Sequence, residues 1–250
     1  MLVVVSPAKK LDMDPVAGLQ PTQPVFPERT RELVTEAAKL TSGELAKLMK
    51  ISPNLAKLNH QRFSDFGSQN RKPAAFAFAG DTFQGLEATT LDADALRWAQ
   101  EHLRILSGLY GILRPLDEIE PYRLEMGSRL KTEHGKNLYE YWGSALALEL
   151  SAQAKTTKST AIINCASQEY FQAVDTQALS MPVISPVFME NTEKGPKIIS
   201  FYAKRARGAM ARFVVSNRIS NTESLCDFDA GGYRYKPNLS TENKPVFLRG

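Results

Sequence analysis

Leu2-Val3-Val4-Val5 is a run of four apolar residues, three of them β-branched, stopped at once by Ser6-Pro7. A strand with one wet face alternates in polarity, whereas a strand that is apolar at every position has both faces covered. The chain therefore starts with a buried strand, and the rest of it has to supply the layers that bury it. It has the means: 250 residues with 43% hydrophobic composition are enough for a substantial core, because a domain of this size removes about 70–75% of its unfolded surface from water.

Those layers are mostly helical. Apolar periodicity predicts helices over about 28–40, 42–50, 53–65, 92–106, 136–153 and 202–220, with a short one near 168–174. Ser42 is read as an N-cap, and Ser52 as another with Pro53 at the first helical position. Residues 74–79, 161–164 and 245–248 read as further strands, and 183–187 with 197–201 as a strand pair around a turn at 191–196. Pro15, Pro21, Pro24 and Pro27 mark residues 14–27 as a surface loop. With no internal repeat, linker or composition shift, the reading is one domain over residues 1–250. Its class is α+β (mixed α/β): a mixed sheet flanked by helices.

Composition excludes several classes. Met1–Val5 is apolar and precedes Lys9 and Lys10, the reverse of the order in a secretory signal. No run approaches the ~18 apolar residues of a membrane helix. Cys165 and Cys226 are isolated in a chain too large to need a disulfide. A soluble cytoplasmic protein with reduced thiols is expected.

Charge is nearly balanced overall, at 31 Lys plus Arg against 27 Asp plus Glu, so its placement matters more than its sum. Over 201–218, helical spacing puts Lys204, Arg205, Arg207, Arg212 and Arg218 in one arc with no acid among them. Ala203, Ala206, Met210, Phe213 and Val214 fall opposite. Such a helix packs by its apolar side and offers cations to an anion, unless acids elsewhere in the fold meet them. Gly208 costs helix stability and falls on the basic arc, where it would let a backbone or a phosphate approach closely.

A second phosphate-binding candidate is Leu-Ser-Gly-Leu-Tyr-Gly-Ile-Leu-Arg-Pro at 106–115, read as helix, tight turn and helix. Backbone N–H groups of Gly108, Leu109, Tyr110 and Gly111 would face a phosphate, with Arg104 and Arg114 adding charge. Two residues between the glycines, where a helix-hairpin-helix has one, leave an ordinary helical corner as the alternative.

Catalytic candidates lie in motifs after strands and turns. Lys9 is a possible nucleophile or phosphate ligand, Asp81 and Glu169 are possible bases, and Glu125 is set beside Arg123; Tyr170 and Lys204 complete the set. For each, a turn cap or a buried hydrogen-bonded pair is the alternative. His60, His102 and His134 are scattered, no Cys-x-x-Cys occurs, and no Walker A, Gly-x-Gly-x-x-Gly or Gly-x-Ser-x-Gly motif is present. No metal or cofactor is expected.

Six ordered motifs carry a resemblance. They are Ser-Pro-Ala-Lys-Lys-Leu-Asp at 6–12, Gly-Asp-Thr-Phe-Gln-Gly-Leu at 80–86, Leu-Ser-Gly-Leu-Tyr-Gly-Ile-Leu-Arg-Pro-Leu-Asp at 106–117, Pro-Tyr-Arg-Leu-Glu-Met-Gly at 121–127, Ala-Ser-Gln-Glu-Tyr at 166–170 and Ile-Ser-Phe-Tyr-Ala-Lys-Arg-Ala-Arg-Gly at 199–208. With them the chain resembles the YaaA peroxide-stress family end to end. The resemblance implies a cytosolic bacterial protein induced by hydrogen peroxide that keeps unincorporated iron low and so limits Fenton damage. It also implies a mixed α/β domain with a positively charged cleft, a helix-hairpin-helix element at Gly108–Gly111 and binding to duplex DNA. Established catalytic residues do not come with it. Three functions stay open: non-specific contact with DNA phosphates, an enzyme acting on a nucleobase, nucleotide or damaged nucleic acid, and direct iron sequestration, for which no ligand cluster is visible.

Overall fold

The computed structural model describes residues 1–250. From β1 (Leu2–Val5) a long loop leads to three helices, α1 (Pro27–Ala38), α2 (Ser42–Met49) and α3 (Pro53–Ser64). The two-residue β2 (Lys72–Pro73), α4 (Ala74–Ala77) and α5 (Asp81–Leu86) precede α6 (Ala93–His102). Next come β3 (Leu103–Ser107), β4 (Gly111–Leu113), β5 (Glu118–Ile119), α7 (Leu138–Trp142), α8 (Ala145–Thr157), β6 (Ile162–Cys165) and α9 (Gln168–Phe171). The last third holds β7 (Val183–Ile184), β8 (Val187–Thr192), β9 (Gly195–Lys197), α10 (Ser200–Ser216), β10 (Arg234–Tyr235) and β11 (Val246–Arg249).

As its composition predicts, β1 is central and all four of its side chains are sealed from water. The main sheet has the order β4-β3-β1-β6-β7. β3, β1, β6 and β7 are parallel, and β4 folds back antiparallel on β3. Val5 is level with both Ile105 and Cys165, so the chain leaves β1, β3 and β6 at one shared edge. A second mixed sheet, β10-β11-β8-β9, closes the C-terminal part, and β2 pairs with β5 as a small ribbon. One continuous cluster of 60 buried residues joins these layers, which makes the protein a mixed α/β domain.

Local chemistry sets the helix starts. Thr41 caps α2 in a reciprocal box with Glu44, so Ser42 is the first helical residue and not the cap. Ser52 Oγ accepts from the Leu55 amide ahead of α3, with Pro53 first in the helix. Asp92 Oδ1 accepts from the Ala95 amide at 2.7 Å ahead of α6.

Several expectations are corrected. Residues 74–77 form a helical turn, not a strand; four alanine- and phenylalanine-rich residues do not separate the two by periodicity. The helix predicted to end at 106 stops at His102, because the next five residues are buried on both faces as β3. The span predicted over 136–153 is two helices broken at Gly143, and of the strand expected at 197–201 only Lys197 lies in β9, with α10 beginning at Ser200.

The largest correction concerns Gly108–Gly111. The segment is a β-hairpin, in which Ser107 pairs with Gly111 across three connecting residues. Gly108, Leu109, Tyr110 and Gly111 are all buried. A Cβ on Gly108 would meet the Leu124 carbonyl oxygen at 2.3 Å, and Gly111 has φ +71° with the Trp142 ring where its side chain would be. Trp142 Nε1 donates to the Gly108 carbonyl (3.1 Å) and the Tyr110 amide donates to Ser107 Oγ (2.9 Å). The glycines serve close packing, and their backbone groups face protein instead of solvent.

Candidate functional site

Five of the six motifs meet at the edge where β1, β3 and β6 end. In sheets of this kind ligands bind outside the carboxyl ends of the parallel strands, where the strand order reverses, and β1 lies at that reversal. Ser6 Oγ, just past β1, accepts from the Ser167 amide (2.8 Å) and donates to Ser167 Oγ (3.2 Å), just past β6. Ser107 Oγ, at the end of β3, lies 2.6 Å from the Tyr122 hydroxyl.

Beside these serines, Glu125 Oε1 takes two cations, Lys9 Nζ at 3.3 Å and Arg123 Nη2 at 2.9 Å. Its other oxygen, Oε2, is sealed from solvent and has no hydrogen-bond partner. Lys9, Glu125, Arg123, Tyr122 and Tyr170 line one cavity of about 10 Å³. The Tyr122 and Tyr170 phenols are held protonated, chiefly because burial penalises the phenolate. Glu169 Oε1 accepts from the Gly127 amide at 3.0 Å, which ties the 166–170 and 121–127 loops together. Asp81 opens α5, and Gly80 before it is pressed on Ala8, where a Cβ would lie 2.8 Å from that of Ala8.

Of the catalytic candidates, Lys9, Glu125 and Tyr170 therefore share a cavity. Glu169 and Asp81 sit on segments that touch its walls. Lys204 is exposed on α10 and makes no ion pair.

The basic arc of α10 is organised differently from the helical-wheel expectation. Gly208 faces inward: a Cβ there would lie 1.7 Å from the Thr82 carbonyl oxygen, and one on Gly85 would lie 2.0 Å from the Arg205 carbonyl oxygen. α5 thus crosses α10 backbone to backbone, so of the two partners expected at Gly208 it is a backbone, and not a phosphate, that approaches. The crossing splits the arc. Arg207, half-buried, turns toward the end of β6, where its charge offsets part of the burial that pushes the Cys165 thiol up to about 12. Arg205 and Arg212 fall on the other side.

Three cations of the arc, Lys204, Arg205 and Arg207, have no carboxylate partner. Arg212 donates to the Leu86 and Glu87 carbonyls (3.0 and 2.8 Å), and Arg218, just past the helix end, lies 3.7 Å from Asp94. Arg104 is a core residue at 1% exposure; burial foremost, and then the Arg114 charge, lowers its pKa to about 10. Arg114 is held by Asp117 Oδ1 (3.0 Å) and the Gln23 carbonyl (2.9 Å).

Sequence reasoning overlooked a groove of about 650 Å³ between α5, α10 and the C-terminal segment. Phe201, Tyr202, Arg205, Arg212, Tyr233 and Arg249 line it. Its signal in the sequence is the Phe-Tyr pair opening a basic helix, but Tyr233 and Arg249 arrive from over 30 residues away. No three His, Cys, Asp or Glu side chains gather as a metal site, and no helix is long and apolar enough to cross a membrane.

The model of the peroxide stress protein YaaA family matches residues 1–239. The chain is 58% identical over its full length to a UPF0246 protein of Roseobacter denitrificans, covering 98% of that protein. It is 55% identical to UPF0246 proteins of Ruegeria pomeroyi and Cereibacter sphaeroides, again over its full length and over 98% and 99% of theirs. With the family model spanning all but the last residues and these relatives matching from end to end, this chain belongs to the peroxide stress protein YaaA family.

Proposed function

We propose that this chain serves the peroxide-stress response by holding DNA non-specifically through Lys204, Arg205 and Arg207, and so helps to limit iron-dependent damage. One observation carries the reading: three cations within one turn of α10, Lys204 and Arg205 exposed and Arg207 half-buried across the α5 crossing, are unmatched by any carboxylate. Backbone phosphates satisfy such a cluster without reading bases. Neutralising three phosphates gives a log–log salt slope of about −2.7, so affinity should fall about 40-fold between 50 and 200 mM salt.

Duplex binding measured across that salt range, for wild type and for Lys204→Ala/Arg205→Ala/Arg207→Ala, tests the proposal. The triple variant should bind all sequences more weakly and with a flatter slope. Unchanged binding removes α10 from the argument. In cells, a triple variant that fully restores low free iron to a deletion strain under peroxide would separate the iron effect from DNA.

A second reading, an enzyme acting on a nucleobase, nucleotide or damaged nucleic acid, is favoured by the meeting of Lys9, Glu125 and Tyr170 around the unpartnered Glu125 Oε2. A cavity of about 10 Å³ has room for about one water. A substrate would enter only with movement of the 6–10 or 121–127 loop. Nucleotide titration of wild type and of Glu125→Gln tests it, and the absence of heat in both would end it.

A further inference from the structure

We propose that the groove between α5 and α10 holds an unpaired base of a single-stranded nucleic acid, stacked on Phe201 and Tyr202 with its phosphate on Arg205. The proposal rests on the nucleic-acid reading above and adds a strand preference and a second set of residues to it.

The groove has the size and chemistry of a base site. Its volume of about 650 Å³ falls in the range of pockets that enclose small molecules. Phe201 and Tyr202 are 51% and 41% exposed, with their rings 5.5 Å apart and edge to face. They leave π surface open to water beside a charged helix, an arrangement a stacked base would cover. Stacking tolerates every base, because each has a π face.

Helical spacing puts Phe201, Arg205, Ala209, Arg212 and Ser216 on one stripe of α10. The stripe thus leads from an aromatic side chain to two cations, and the small Gly85 and Ala209 line the groove between them. Three arginines and one glutamate line it, which favours an anionic occupant.

One wall is fixed in advance. The Arg249 guanidinium lies 4.4 Å from the Tyr202 ring centre and 5.0 Å from that of Tyr233. Glu190 holds it there, accepting from Arg249 Nε at 2.7 Å and from the Tyr233 hydroxyl at 2.5 Å. The clamped cation holds the Tyr202 ring in place from one side, and Tyr202 itself stays 41% exposed. Arg212 is likewise fixed by two backbone carbonyls, whereas Arg205 has no carboxylate partner and is available to a phosphate.

Fluorescence anisotropy with labelled oligo-dT, oligo-rU and a duplex, at near-physiological salt, tests this with wild type, Phe201→Ala/Tyr202→Ala and the conservative Phe201→Tyr/Tyr202→Phe. Both positions are exposed, and a thermal melt of each variant verifies that it folds. The expected result is a loss of ten-fold or more in single-strand affinity for the alanine pair, under two-fold for duplex, and near-full retention in the conservative pair. Loss on oligo-dT alone or on oligo-rU alone supports the groove and identifies the strand as DNA or RNA. Single-strand affinity unmoved by the alanine pair overturns the proposal while leaving duplex binding in place. Wild type that binds none of the three probes overturns the nucleic-acid reading itself, and this proposal with it. An alanine pair that converts a dimer to a monomer in sedimentation, with single-strand affinity unchanged, also overturns it and makes the groove a contact between copies.

Discussion

Replacing Gly208 with alanine tests the packing that divides the basic helix. In an isolated helix the change stabilises by about 0.8–1 kcal/mol, since glycine is the poorest ordinary helix former. Here the new methyl would lie 1.7 Å from the Thr82 carbonyl oxygen and 2.9 Å from the Leu86 nitrogen, both backbone atoms of α5. No side-chain rotation relieves that. α5 itself has to give way by the difference between 1.7 Å and the 3.4 Å of ordinary contact, carrying the buried Phe83 and Leu86 with it. Overpacking of this sort costs about 1–3 kcal/mol or more, and rigid backbone neighbours put it at or above the upper end. After the propensity gain, Gly208→Ala should be destabilised by about 2 kcal/mol, which for a chain of this size lowers Tm by about 4–8 °C. Gly43→Ala in α2 is the control: its Cβ would meet nothing nearer than Thr41 Oγ1 at 4.0 Å, and it should be neutral or stabilised by up to ~0.8 kcal/mol. Urea and thermal unfolding of both variants decide the matter. A Gly208→Ala protein as stable as wild type would refute the backbone-to-backbone crossing, and would return Gly208 to the solvent-facing, phosphate-approach role that its place on the helical wheel suggests.

Three further outcomes are expected. Burial holds the Cys165 thiol at about 12, whereas Cys226 is partly exposed; a thiol reagent at neutral pH should therefore modify Cys226 in the native protein and Cys165 only on denaturation. Rapid labelling of Cys165 would contradict its place in the core. His102, stacked on Trp98 and with its Nδ1 3.0 Å from the Met1 carbonyl, has a pKa lowered mainly by burial. The unfolded chain then binds the proton first as pH falls below 6.5, so this stabilisation is present above 6.5 and lost as pH drops through the lower folded value. Tm measured from pH 7.5 to 5 should fall less steeply in His102→Gln than in wild type, and parallel curves would exclude the effect. Thr41→Ala removes the α2 capping box and should cost about 1 kcal/mol, with Thr41→Ser close to neutral by urea unfolding.

Much of the framework was legible without coordinates because it depends on neighbours in the chain. The buried β1, the entry of α3 at Ser52-Pro53 and the amphipathic α10 all follow from side-chain periodicity and capping, which act over one to four residues. So did the placement of Lys9, Glu125 and Tyr170 in motifs following strands or turns, although nothing local said that they share a cavity. The hairpin at Gly108–Gly111 escapes local reasoning for a related cause. An apolar run punctuated by glycines fits a helical corner or a strand pair equally well, and the register of β3 against β1 selects the second. At Gly208 the sequence leaves a backbone or a phosphate as the close partner, and α5 selects the backbone, because the helical wheel counts angles within α10 alone. Glu190, Tyr233 and Arg249 come together only when β8, β10 and β11 pair. Short-range sterics and solvation are enough to place the buried β1, the entries of the long helices and the accumulation of charge on α10. Which cations the fold consumes and which stay open to a ligand is set at long range, by whichever backbone or carboxylate from a distant segment arrives within hydrogen-bond reach.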